Sequence, residues 1–537
     1  MKKTIVFKRI FKLIILLLVF TNINNSQNIS TPKSIWKTSA AVRNINNSAI
    51  SLRLYKTTYR PDKDAIFTSK NNLFKLHFDN SGNDSIAQSY TLNTSIPDYI
   101  IRAGQYLEAS YFYLHDTLGF LIPPIDDSED PQIDVYFSNL GNGNYGGTIP
   151  ENEVTSTPRT HDYTAYIEID NDMIGDLYYT NDTSALKVTC AHELFHVFQL
   201  GYNFFFDSDV WYLEACAVWF EDKIFPEVND YIQYTEDYIT NWGNQIDKYN
   251  SPGFYQLCSW NIYLDEKYKT NKNNPIMEIW GNILEGNAMS ALTTFLNSNE
   301  SGWNNALSEW GVSHIYCGEN NFPEQSFFPD AEIIPSIKFS NNTDNYFYYN
   351  DDQTMNIQIV SGHYSNTFYK IADINIPQIN IHFESDDSYQ ISAVLFDGNT
   401  TNVYDISSSS TKIQISSLSA ELFLSIGSQD SVKGNLIIEK YFTELTSIYP
   451  NPVSSNQNIT LEYFIQNDYN SGKINFFNIL GQKTNSINLN NSELTEGKHN
   501  LTISPQTISR SNTPSGIYFL QLILPDKKFI KKFTFIK

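Results

Sequence analysis

His192, Glu193 and His196 stand in the run HELFH, and Glu214 follows after the 17 residues from Val197 to Leu213. Two histidines four apart on a helix share a face, so both imidazoles can reach one metal ion. Glu193 comes one position after the first histidine and points about 100° around the helix. That places it beside the open side of the metal, where a general base belongs. A zinc ion held by three protein ligands keeps a fourth position for water and lowers the pKa of that water to about 7. Glu193 would accept the proton and later pass it to a leaving amine. The third ligand has to come from a second element. Glu214, in WYLEACAVWFED, supplies it, because a helix, a turn and another helix fit the gap. The expected centre is one catalytic zinc on His192, His196 and Glu214, with Glu193 as base.

These residues resemble the gluzincin pattern of thermolysin-like proteases and zinc aminopeptidases, where a second helix provides a glutamate ligand. Trp211, Glu214 and Ala217 match the W-x-x-E-x-x-A form of the aminopeptidases. The segment between the two motifs is one residue shorter here, and Leu213 stands where an asparagine usually precedes the glutamate. The sequence is most similar to a group of secreted bacterial metalloproteases of the form AHExxHxxQ followed by W-x-x-E-x-x-A-x-W-x-E-D. Gln199, Trp219, Glu221 and Asp222 complete that form. The segments NNLFKLHFDNSG, LGFLIPPIDDS, IDVYFSNLGNGNYGG and AYIEIDNDM also fit the group, so the resemblance covers roughly residues 70 to 325. It implies a zincin-like catalytic domain and a secreted endopeptidase acting on protein or peptide substrates.

The elements around the motif carry helical and strand periods. Apolar residues recur at helical spacing from Pro97 to Leu118, and IDVYF and AYIEI alternate as strands. A helix beginning near Ser184, capped by Thr183 and stopped at Gly201, would carry the histidines. Further helical patterns follow in NDYIQYTEDYITNW, FYQLCSWNIYLDEKY, NPIMEIWGNILE and MSALTTFLN. This predicts an α+β domain.

Acyl transfer also needs a donor for the developing oxyanion. The gluzincin resemblance points to a Tyr or His after the glutamate, and Tyr255, Tyr263 and His314 are the candidates, with Tyr255 preferred. Asp170, Asp172 and Asp176 could bind calcium, but they lack the full EF-hand pattern and sit where turn acids are common. Asp126, Asp127 and Asp130 read as a solvated turn. Cys190, Cys216, Cys258 and Cys317 all fall in the catalytic region, as buried thiols or as disulfides with three possible pairings. The helical period turns Cys190 and Cys216 away from the ligand face.

Past residue 325 the helical period stops. MNIQIV, INIHF, ISAVLF, TKIQIS, LFLSI and NLIIEKY alternate between polar turns, which is β-sandwich spacing. No ligand cluster marks this region, so it reads as a spacer or a binding module. The last stretch runs from SIYPNPVSSNQNITLEY through KINFFNILGQK and SGIYFLQL to KKFTFIK. It resembles the C-terminal sorting domain of type IX secretion in Bacteroidota, through Tyr449 to Pro452, Asn478, Gly481, Gln482 and Gly516 to Tyr518.

The chain of 537 residues exceeds one core. The predicted organisation is a signal peptide (1–26), a leader, linker or propeptide (27–70), an α+β zincin-like catalytic domain (71–325), an all-β sandwich (326–443) and an Ig-like β-sandwich sorting domain (444–537). Lysines and Arg9 precede the apolar run from Leu13 to Phe20, which is too short to span a bilayer and fits a signal peptide. No later run of 18 apolar residues follows, so the mature chain is expected to have no transmembrane anchor. A net charge of −23 would repel nucleic acid and anionic lipid. The expected destination is the cell surface or the medium, through the type IX machinery. The competing function class is a surface adhesin on an inactive zincin scaffold, in which the β-sandwich does the binding.

Overall fold

The computed structural model describes residues 60–537 apart from short internal stretches, the longer of which include 126–129, 249–253, 340–344 and 509–513. The predicted signal peptide and residues 27–59 of the leader lie outside the described residues, as do Asp126 and Asp127.

The first unit is built on a mixed sheet of β1 (Ala65–Thr68), β2 (Phe74–Phe78), β3 (Ile133–Ser138), β4 (Gly146–Glu153) and β5 (Tyr163–Asp170), ordered β1-β2-β3-β5-β4. Strands β2, β3 and β5 run parallel, and β1 and β4 run antiparallel at the two edges. Phe74, Leu76 and Phe78 alternate onto the buried face, as the period-2 pattern requires. Against that face pack α1 (Asp98–Phe112) and α2 (Asp182–Gln199), which carries the HELFH run. After α2 come α3 (Phe206–Ile224), α4 (Ile232–Tyr238), α5 (Cys258–Tyr268), α6 (Pro275–Ile283), α7 (Ala288–Ser298) and α8 (Gly302–Ile315).

The leader boundary moves. Arg60 forms ion pairs with Asp134 and Glu151, Lys63 with Asp79 and Asp84, and β1 is a sheet strand, so residues 60–70 belong to this unit. The helix boundary moves as well. Asn181 is the N-cap, not Thr183, and helix α2 ends at C-cap Leu200. Gly201 is not a left-handed stop. A Cβ there would meet Phe198 O and Pro124 Cδ at 3.1 Å, so its smallness admits the Pro123–Pro124 loop.

The second unit is a sandwich of two sheets. One is ordered β11-β10-β13-β8-β6, from Thr400–Asp405, Gln390–Asp397, Ala420–Ser428, Ser365–Ile374 and Tyr346–Tyr348. The other is β12-β9-β14-β7, from Thr411–Gln414, Gln378–Glu384, Val432–Lys440 and Met355–Ser361. Its interior is aliphatic, with Ile359, Ile371, Ile391, Leu422 and Leu436. The sandwich starts later than residue 326, because Phe328, Ile334 and Ile337 complete the first core.

The outer face of β8, β10 and β13 is covered by α8. Phe368, Val394 and Phe423 join the first core, while Ser308 Oγ donates to Ser392 Oγ at 2.8 Å and Asn366 Nδ2 to Leu307 O at 2.8 Å. Gly427 lets the helix backbone approach, since a Cβ there would lie 2.3 Å from Asn304 O and 2.4 Å from Ser308 N. Strand β13 is therefore buried on both faces, which the uninterrupted run LFLSI reflects. The sandwich thus packs against the first unit through a continuous interface.

The third unit is a second sandwich, with β15-β17-β20 (Glu444–Tyr449, Ile459–Ile465, Gly497–Ile503) over β16-β22-β21-β18-β19 (Val453–Ser454, Lys528–Ile536, Gly516–Ile523, Lys473–Asn478, Lys483–Asn488). Leu461, Tyr463, Phe476, Leu520 and Phe533 form its core.

Candidate metal centre

Helices α2 and α3 pack side by side and bring the three predicted ligands together. The two Nε2 atoms of His192 and His196 are 3.0 Å apart; Glu214 Oε2 lies 3.2 Å from His192 Nε2 and 3.4 Å from His196 Nε2. Metal–nitrogen bonds of 2.0–2.1 Å in a tetrahedron would separate ligand atoms by roughly 3.3 Å. The observed triangle has those edges. It is the one group of three or more His, Cys, Asp or Glu side chains among the described residues placed to share a metal.

Proton positions sharpen the fit. Gln199 Nε2 donates to Leu213 O at 3.0 Å, which fixes the amide so that its Oε1 faces His196 Nδ1 at 2.7 Å. An amide oxygen only accepts, so Nδ1 of His196 carries the hydrogen. Glu221 Oε1 stands 2.6 Å from His192 Nδ1, so Nε2 is the nitrogen of His192 that faces the centre. Both Nε2 atoms then face each other and the Glu214 carboxylate. Glu214 Oε1 is also buried without a hydrogen-bond partner. Two imidazole nitrogens and a carboxylate converging in a buried site are a donor set for a cation, so the residues fit a metal ion.

Burial alone would raise the Glu214 carboxyl, but the His196 and His192 imidazoles draw it down, to about 2. Burial raises the Glu193 carboxyl and lifts Glu221 to about 8.

Glu193 is absent from the ligand triangle and faces β4. The Thr148 hydroxyl lies 2.8 Å from both Glu193 Oε2 and the Glu193 carbonyl, and its one proton serves either acceptor. Gly146 permits this approach, since a Cβ there would meet Glu168 O and Thr189 Cγ2 at 2.9 Å and Glu193 Cγ at 3.0 Å. Sequence reasoning missed Thr148 and Gly146. The only trace of them was the run NYGGT at the start of a strand.

Tyr255, in a short turn ahead of α5, places its ring 6.0 Å from that of His192 and 4.9 Å from that of Tyr234. The other two oxyanion candidates lie elsewhere. Tyr263 is buried and donates to Glu309 Oε2 at 2.8 Å, and His314 is buried with Nε2 3.1 Å from Ser259 Oγ. Neither is brought to the centre, because α5 and α8 turn them into the core. The Asp170 carboxylate accepts from the Leu140, Asp172 and Met173 amides, and Asp172 accepts from Ile174 N–H, so these acids shape a turn. All four cysteines are buried free thiols, which settles the choice left open between thiol and disulfide. Cys190 points to Ala103 O and Cys216 to Asn261, away from the ligands.

Residues 69–268 match a model described as a family of unknown function, DUF6055, and residues 447–537 match the secretion system C-terminal sorting domain. The latter marks the chain as type IX secretion cargo of the Bacteroidota, delivered to the cell surface or the extracellular space. Among the described residues no helix is long and apolar enough to cross a membrane. No curated protein matches the chain. Solved structures with some likeness include a GH2 β-galacturonidase from Eisenbergiella tayi bound to glycerol, at 11% identity and TM-score 0.17, over 32% of this chain and 35% of that one. A Parabacteroides merdae β-glucuronidase with glycerol in its active site gives 13% identity and TM-score 0.15, over 32% of this chain and 27% of that one. The chain thus spans about a third of these structures, and likeness at such scores carries no argument about fold or activity.

Proposed function

We propose that this chain is a secreted zinc-dependent endopeptidase of gluzincin type, with a zincin-like catalytic unit. The observation that carries the proposal is the convergence of the His192 and His196 Nε2 atoms and the Glu214 carboxylate within 3.0–3.4 Å. The element order also fits, with a helix on a small sheet preceding the HELFH helix and the glutamate on the next one.

His192, His196 and Glu214 would hold the zinc. When bound there, zinc supplies a Lewis acid that polarises the scissile carbonyl and acidifies water. Glu193 takes the proton from the attacking water and delivers it to the amine nitrogen as the C–N bond breaks. Burial raises its carboxyl and so suits it to both transfers. Thr148 restrains that carboxylate from the strand side. Tyr255 is the nearest of the predicted donors for the developing oxyanion. Among the described residues strand β4 is paired on one side only, with β5, and an extended peptide can add to such an edge beside Glu193. The adhesin reading gains nothing, because one sheet face of the sandwich is occupied by α8.

The test is metal content and casein hydrolysis of the full chain beside Glu193→Gln. Zinc near one equivalent in both proteins, with turnover in the wild type alone, supports the proposal. A wild-type protein that takes up no zinc sinks it.

A further inference from the structure

We infer that Gln199 is the positioning residue that sets the coordination geometry of the centre, by holding a ligand on each of the two helices with one side-chain amide. The inference rests on the metal reading above. Its basis is two hydrogen bonds of opposite sense. Gln199 Oε1 accepts from His196 Nδ1 at 2.7 Å, and Gln199 Nε2 donates to the backbone oxygen of Leu213 at 3.0 Å. Leu213 immediately precedes Glu214, so the second bond fixes the turn of α3 that carries the third ligand.

The surroundings leave this task to Gln199. Leu213 offers no hydrogen-bonding side chain of its own. His192 has a carboxylate partner on α3 in Glu221. His196 is fully buried and takes its Nδ1 partner from its own helix, three residues on. Gln199 is itself 1% exposed, so neither bond competes with water. The amide cannot rotate without placing its NH2 against Nδ1–H and its oxygen against the Leu213 carbonyl. Either mismatch would leave buried groups unpaired. One side chain thus ties the His196 tautomer to the spacing between α2 and α3.

Two measurements on the full chain test this. The first is zinc affinity by competition with a chromophoric chelator. Gln199→Leu removes both bonds and should weaken zinc binding roughly 10–100-fold, the usual effect of losing a residue that orients a metal-bound histidine. Gln199→Glu keeps an acceptor for His196 but loses the donor to Leu213, and should fall between that variant and the wild type. Wild-type affinity in both variants would overturn the inference. The second needs no variant. Nitrogen-15 NMR of the zinc-free wild-type protein at pH 8 should show His196 with its proton on Nδ1, and a proton on Nε2 would overturn the inference even if Gln199→Leu does not fold. A wild-type protein that binds no zinc would overturn the metal reading and the coordination role with it, whereas zinc binding without the Nδ1 tautomer would overturn the role of Gln199 alone.

Discussion

Thr148 and Glu193 are 45 positions apart, yet the threonine hydroxyl lies 2.8 Å from the glutamate carboxylate. The contact joins the edge strand of the sheet to the acid proposed as general base. A hydrogen bond to a charged group contributes about 1.5–3 kcal/mol, which corresponds to roughly 10–100-fold in rate. Thr148→Val should therefore lower kcat by roughly that factor, with KM and zinc content near the wild type. Thr148→Ser should recover most of the loss. Steady-state kinetics with metal analysis on each variant checks this, and an unchanged kcat in Thr148→Val would remove Thr148 from the mechanism.

The interface between α8 and the central sandwich depends on backbone approach at Gly427, where a Cβ would lie within 2.4 Å of two helix backbone atoms. Overpacking of this kind costs about 1–3 kcal/mol. Gly427→Val should lower the thermal midpoint. A chain ending at residue 340 should aggregate, because it exposes the α8 face that meets Phe368, Val394 and Phe423. Calorimetry and size-exclusion chromatography report both outcomes, and a monomeric, cooperatively folding 60–340 fragment would refute the interdependence.

Acid should destabilise the protein through two identifiable groups. The Asp98 carboxyl is held below the usual carboxylate range by the Thr91 hydroxyl, with the Leu92 and Thr91 amides and the Ser89 hydroxyl adding to it against the opposing effect of burial. Its folded pKa is depressed, so its contribution is present above the unfolded value of about 3.9 and is lost as pH falls below it. Asp98→Asn should lower the midpoint at pH 6, and by progressively less as pH falls below about 3.9.

His314 acts in the window above that. Burial lowers its folded pKa to about 3, against about 6.5 in the unfolded chain. The unfolded chain therefore binds the extra proton between these values, and stability falls as pH drops from about 6.5. His314→Phe should show a shallower loss between pH 6.5 and 4 in denaturant titrations than the wild type.

The four thiols are buried and unpaired, and burial raises the Cys216 pKa to about 12. The thiolate is the reactive form. A thiol reagent should label none of the four in the native protein at pH 8 and all four in denaturant without reductant. Any shortfall after denaturation would reveal a disulfide.

The parts of the fold that were legible in advance follow short periods. The i, i+4 pair His192 and His196 needs only helical geometry, and Glu214 needs only a second helix of fitting length. The strands MNIQIV, INIHF and LFLSI declared themselves by alternation or by unbroken apolar runs, and the sorting domain by its own residues. Boundaries were less legible: β1 and the ion pairs of Arg60 and Lys63 lie in a polar run, and Phe328 to Ile337 have no strand or helix period to assign them to the first core.

What the sequence determined by itself was the donor set and the route of export, because each is written in residue types at near spacing. Tertiary structure decided what acts on those donors. It placed Tyr255 beside His192 and turned Tyr263 and His314 into the core, turned Gln199 toward both His196 and Leu213, brought Thr148 and Gly146 of β4 onto Glu193, and left four cysteines unpaired. These choices depend on how the sheet edge and helices pack, and no local period carries that information. Contacts between residues 14 to 45 positions apart are set by the core as a whole.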